Sequence, residues 1–113
     1  MRDDRERIQD MLEAIQKIEQ YVYDESGGIS RQDDELVEVW IIHHIEIIGE
    51  AASKISNELR GKYPEVAWGG MIGMRHVLVH GYFETETEIV WRVVEHDLPT
   101  LRTQLENILA ELG

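Results

Sequence analysis

The chain has 113 residues, with 11 Lys and Arg against 23 Asp and Glu, for a formal net charge of -12. That length suits a single domain, residues 1–113, with one core, and the lack of cysteine excludes disulfides and thiolate metal sites. So acidic a surface also excludes broad capture of a nucleic-acid backbone, so any RNA contact has to be local, at a small positive site inside a repelling field.

The start, "MRDDRERIQD", is charged where a secretory signal needs an apolar run. No apolar stretch approaches the ~18 residues expected of a membrane span, and the longest candidate, "VWIIHHIEIIG", is broken by His43, His44 and Glu46. The chain therefore reads as soluble and cytoplasmic, with no membrane partner.

Ile8, Met11, Leu12, Ile15, Ile18 and Val22 recur at steps of three and four, which predicts a first amphipathic helix with Asp3 or Asp4 as its N-cap. "DESGGISRQD" reads as a loop. A second helix is expected to begin near Asp33 or Asp34 and run to about Arg60. Its apolar residues, from Leu36, Val37 and Val39 through Ile47 and Ile48, cover more than one face. A helix apolar nearly all round is buried on more than one side, and in so small a domain a second copy of the chain can supply the other cover. A central place in a monomeric bundle is the alternative.

"GKYPEVAWGG" reads as a turn. A third, shorter helix is predicted over roughly Trp68 to His80, with Gly81 suited to end it. "ETETEIVWRVVEHDLP" predicts a fourth helix, acidic in its first turn as the dipole prefers. Asp97 and Pro99 look like an N-cap and first-turn proline opening a fifth, with Leu101, Leu105, Ile108, Leu109 and Leu112 on one face. No segment alternates convincingly as a strand does. The fold class is all-α, an antiparallel bundle of about five helices, read as a homodimer.

The segment "MRHVLVHGYF", residues 74–83, packs Arg75, His76, His80 and Tyr82 among apolar residues. On a straight helix Arg75 and His80 lie roughly 140° apart around the axis, whereas Arg75 and Tyr82 fall within about 20°. Unwinding at Gly81, or a second protomer across a symmetric interface, can bring the arginine and histidine to one target. A guanidinium to hold phosphate oxygens and an imidazole to move protons near neutral pH are the parts of phosphodiester chemistry. His76 and His80 share a face as helical zinc ligands do, but Val77, Leu78 and Val79 between them supply no glutamate, and no metal site is expected.

Arg75, His80 and Tyr82 together form R-x4-H-x-Y, which resembles the signature of the HEPN superfamily and specifically of HepT-type toxins. "IEIIGEAASKIS", "YPEVAWGGMIGMRHVLVHGYF" and "EIVWRVVEHDLPTLRTQLENIL" resemble that family in order and spacing, so the likeness covers nearly the whole chain. The resemblance implies a metal-independent endoribonuclease toxin without cofactors, homodimeric, with its site at the dimer seam. It implies Arg75 and His80 as the catalytic pair. It also implies a minimal nucleotidyltransferase antitoxin of the MntA kind that transfers AMP to Tyr82. Glu46 or Glu50 on the second helix is expected to orient the Arg75 guanidinium. His43 and His44 are read as partly buried histidines, one of which can approach the seam, and Trp40, Trp68 and Trp91 as packing residues. The competing function is a non-catalytic, acidic helical adaptor that binds a nucleotidyltransferase or another basic partner.

Overall fold

The computed structural model describes residues 2–23, 35–80 and 83–113, with residues 75–80 and 83–87 described at the backbone only. The elements run α1 (Asp4–Val22), α2 (Glu35–Ser53), α3 (Asn57–Lys62), α4 (Trp68–His80), α5 (Phe83–Arg92), a π-helical turn (Val93–Asp97) and α6 (Leu98–Leu112). The predicted all-α bundle is what the chain forms. No helix among the described residues is long and apolar enough to cross a membrane.

α1 starts where the sequence places it. Asp3 is extended, and its side chain accepts a hydrogen bond from the Glu6 backbone N–H at 2.8 Å, satisfying one of the free donors of the first turn. Ile8, Met11, Ile15, Ile18 and Val22 are buried at the predicted spacing, and Leu12 packs against them at the edge. Burying one such side chain contributes about 1.5–3 kcal/mol, so this stripe anchors the helix to the core.

α2 lies antiparallel to α1. Near one end of the pair, Trp40 Nε1 donates to the Lys17 carbonyl at 3.1 Å, and the Tyr21 and Trp40 rings meet edge to face at 5.3 Å. At the other end Asp4 accepts from the Ser56 backbone N–H at 2.9 Å and from its hydroxyl at 2.5 Å.

That second clamp explains why α2 does not continue to Arg60. The helix closes at Ser53 with tight turns, Lys54 N–H to the Ala51 carbonyl and Ile55 N–H to the Ala52 carbonyl. Ser56, held extended by Asp4, then caps a separate α3 by accepting from the Leu59 N–H at 3.1 Å. The break aims Ile55 and Leu59 into the core. The "YPEVA" turn follows, and Trp68 Nε1 donates back to the Tyr63 carbonyl at 3.0 Å as α4 begins. Gly69 and Gly70, at the end of the predicted turn, are already helical.

α6 begins where expected, with Asp97 in the N-cap position and Pro99 in its first turn, but the expected side-chain cap is a correction. Asp97 has helical angles (φ -88°, ψ -42°) and its side chain makes no capping bond. Instead α5 passes into α6 through one wide turn, in which the Leu98 N–H donates to the Val93 carbonyl. The reason is Pro99, which lacks an N–H and whose ring would crowd the carbonyl four residues back. A π turn just before the proline widens the backbone there, so the axis continues without a capped restart.

α6 crosses α1, where Arg102 bonds Glu19 at 2.6 Å, and its far end meets α3 through the Tyr63 hydroxyl and Glu111. One core joins all these elements, with Ile8, Met11, Ile15, Ile18, Ile41, Leu105 and Ile108 essentially sealed from water. Trp68 and Trp91 are buried in it, as packing residues should be.

Candidate functional site

α4 carries the R-x4-H part of the motif, and its backbone is helical through Arg75 and as far as His80. Their backbone positions are therefore separated by about 140° of helical rotation and about 7.5 Å of rise. With the backbone helical through His80, unwinding at Gly81 would leave that separation unchanged. Gly81 and Tyr82 lie outside the described residues, as do the side chains of Arg75, His76 and His80. The expected accessibility of the Tyr82 hydroxyl and the convergence of Arg75 with His80 fall in that region. At the start of α4, Trp68 is buried in the core, and Met71, Ile72 and Met74 pack against it, fixing the helix against α2.

Glu46 and Glu50 sit on α2, one turn apart and half-buried. Both line an open groove of about 440 Å³ between α1 and α2, across from Arg7, Asp10, Glu13 and Lys17. Lys54 pairs with Glu50 at 3.1 Å, and Lys17 with Glu13 at 3.3 Å. Arg7 Nε is buried there without an acceptor. The groove thus interleaves both signs of charge and has no uniformly positive floor for phosphates. A pairing of either glutamate with Arg75 lies outside the described side chains.

The adjacent histidines part company. His43 is exposed at the rim of this groove, while His44 retains only 4 % of its accessible surface. His44 Nδ1 lies 2.7 Å from the Trp40 carbonyl, so that nitrogen carries the proton in the neutral ring. The imidazole packs tilted on Trp40 at 4.3 Å, with His43 edge-on at 5.1 Å. Burial pushes its pKa below the ordinary histidine value, the Trp40 carbonyl opposes the shift, and His43 and Lys17 add to it. His44 is therefore a neutral packing group at physiological pH. Among the described residues no group of three or more His, Asp or Glu is placed to hold a metal ion.

A second concavity, of about 370 Å³, is absent from the sequence reading. It opens between α2, the start of α4 and the π turn, and Met71 and Met74 share it with His96, Asp97 and Gln104. Its signal in the sequence is faint: two methionines three apart, and Asp97 at the expected start of the last helix.

The other coupled polar groups are structural. Arg2, just before α1, pairs with Asp10 on it, which holds the Arg2 pKa up, and Glu111 raises the Tyr63 phenol.

Comparison with known proteins adds to this geometry. Residues 11–108 match the family model described as "Ribonuclease HepT-like". A Thermococcus cleftensis protein named "Probable ribonuclease HepT" is 32 % identical over 110 residues, covering 95 % of this chain and 96 % of the relative. A Methanocaldococcus jannaschii relative is 30 % identical over 93 % of this chain and 95 % of its own. One from Caldanaerobacter subterraneus is 33 % identical over 87 % and 90 %. The latter two carry RNase names just as provisional. No solved structure matches the chain.

Proposed function

The chain belongs to the HepT-like ribonuclease family, and from that membership we infer that it is an endoribonuclease, the toxin of a toxin–antitoxin pair. The observation that carries this reading is the family match over residues 11–108, which spans the R-x4-H-x-Y segment at the end of α4. In the proposed reaction the ribose 2′-hydroxyl attacks the adjacent phosphate, the 5′-oxygen leaves, and a 2′,3′-cyclic phosphate remains. His80 takes the hydroxyl proton, a second His80 delivers one to the leaving oxygen, and Arg75 holds the charge of the phosphorane. The nucleophile belongs to the substrate, so no metal is needed to generate it.

The second His80 comes from a second protomer. Helical backbone through His80 favours such a composite site, because one straight helix does not turn Arg75 and His80 to the same target. The exposed apolar side chains of α2 favour it too: Leu36 is 78 % and Val39 58 % accessible. Two such groups on an otherwise acidic surface suit burial against an identical helix. Glu46 and Glu50 act as supporting carboxylates for Arg75. A minimal nucleotidyltransferase partner silences the site by transferring AMP to Tyr82, placing bulk and negative charge beside the phosphate position.

The net charge of -12 favours the competing adaptor, which would bind a nucleotidyltransferase without cutting RNA. Incubation of the purified protein with RNA in excess EDTA separates the two. Cleavage that survives chelation and disappears in His80→Ala supports the enzyme, whereas an inert wild type leaves the adaptor. Intact-mass measurement after co-expression with the transferase tests regulation: AMP increments are expected on the wild type and absent from Tyr82→Phe.

A further inference from the structure

We propose that the cavity beneath the π turn is a nucleobase site, which seats a guanine of the RNA close to the bond being cut. Its RNA ligand rests on the ribonuclease reading. A surface of net charge -12 cannot hold RNA chiefly through its phosphates, so affinity has to come from elsewhere. Single-stranded RNA offers its bases, which sink into apolar clefts and are read along their polar edges.

The cavity has the composition for that. Its volume is about 370 Å³, within the range of small-ligand pockets. Ile45, Ile48, Met71 and Met74 line it, and their apolar surfaces and polarisable sulfurs suit a flat ring. Polar groups converge at the rim, and they are mainly acceptors. The Asp97 carboxylate makes no capping bond to its helix. Gln104 spends its Nε2 on the Glu65 carbonyl at 3.3 Å, which leaves Oε1 as an acceptor. Guanine presents adjacent N–H donors on its Watson–Crick edge and matches such a rim, whereas uracil offers mostly carbonyls.

Position sets the path of that ligand. Met74 immediately precedes Arg75, and helical geometry puts His80 about 9 Å further along α4 and about 120° around its axis, a path of a few nucleotides around the helix. Gly70 lines the same cavity, and a Cβ built on it would meet only the Ala67 Cβ, at an ordinary 3.5 Å, so the helix tolerates a side chain there.

The test is a titration of the full chain labelled with ¹³C-methyl methionine, using uncleavable 2′-O-methyl tetranucleotides UGUU and UUUU. The Met71 and Met74 methyl signals should move with UGUU, and on the order of tenfold more weakly with UUUU. Met11, sealed in the core, should stay still. Gly70→Leu, which fills the mouth, should abolish the response, and Asp97→Asn should erase the preference for UGUU with an unchanged melting temperature. Silent Met71 and Met74 signals, or responses that neither substitution alters, overturn the proposal. So do signals that move only with a nucleotidyltransferase, which would make the cavity a protein-docking site. If the methyl responses appear but the protein leaves RNA whole, the ribonuclease reading fails and the base site stands. If RNA is cut while the methyls stay silent, the base site alone fails.

Discussion

Substitution of His44 tests how far burial governs the chemistry of α2. The ring retains 4 % of its accessible surface, and desolvation holds its pKa below the ordinary value of about 6.5, which an unfolded chain recovers. Between those two values the unfolded state binds more protons than the native state. Stability is therefore complete above about pH 6.5 and is lost as pH falls through 6.5 toward the lowered folded value. One differential proton has a limiting slope of about 1.4 kcal/mol per pH unit. The groups facing the ring are Trp40 and His43 on α2 and Lys17 on α1, with Glu13, Asp10 and Glu46 along the same groove. Among the described residues the ring bonds the Trp40 carbonyl, and none of these carboxylates hydrogen-bonds to it to hold the imidazolium. His44→Asn sets an amide nitrogen near the place of Nδ1, keeps that bond and removes the titration. Urea denaturation of both proteins between pH 7.5 and 5.5 should show wild type losing stability more steeply on acidification, with the gap closing as pH falls. Parallel curves would refute the claim that His44 is buried in its neutral form.

Asp4→Ala removes both bonds to Ser56 and so loosens the α2–α3 break. A loss of about 1–2 kcal/mol is expected in chemical denaturation, with far greater effect than Asp3→Asn, which keeps a capping oxygen. Ile18→Ala empties a sealed position between helices and should cost about 2–5 kcal/mol by the same measurement. Val39→Glu alters a residue that is 58 % exposed in one chain. It should leave monomer stability within about 0.5 kcal/mol while converting the proposed dimer to monomer in light scattering, with loss of RNA cleavage. A dimer that survives Val39→Glu moves the seam elsewhere.

Much of the fold was legible in the residues because it depends on local periodicity. The stripe from Ile8 to Val22 had one reading as an amphipathic helix, and of the two capping residues the sequence offers, Asp3 and Asp4, the helix uses Asp3. Trp68 to His80 emerged with the same bounds as expected. The two misses differ in range. Nothing near Ser53 announces a stop, since the acceptor that holds Ser56 is Asp4, 52 residues away. At Asp97 the local signs were right for a cap, yet a wide turn before Pro99 let the helix continue.

The candidate site divides along the same line. Residue type and spacing, read together with the resemblance of the flanking segments, nominate Arg75, His80 and Tyr82 as candidates, because a family signature is a one-dimensional pattern. That Glu46 and Glu50 face α1 across a groove of mixed charge was decided by how the helices pack, as was the different fate of His43 and His44. The cavity that joins Met71 and Met74 to Asp97 and Gln104 leaves only a faint trace in spacing, since its walls come from helices distant along the chain. Helix formation and membership of a family follow from short-range order, and the sequence by itself determined both. Which polar groups lose their water, and which gaps stay open, depends on surfaces that meet only when the chain has folded.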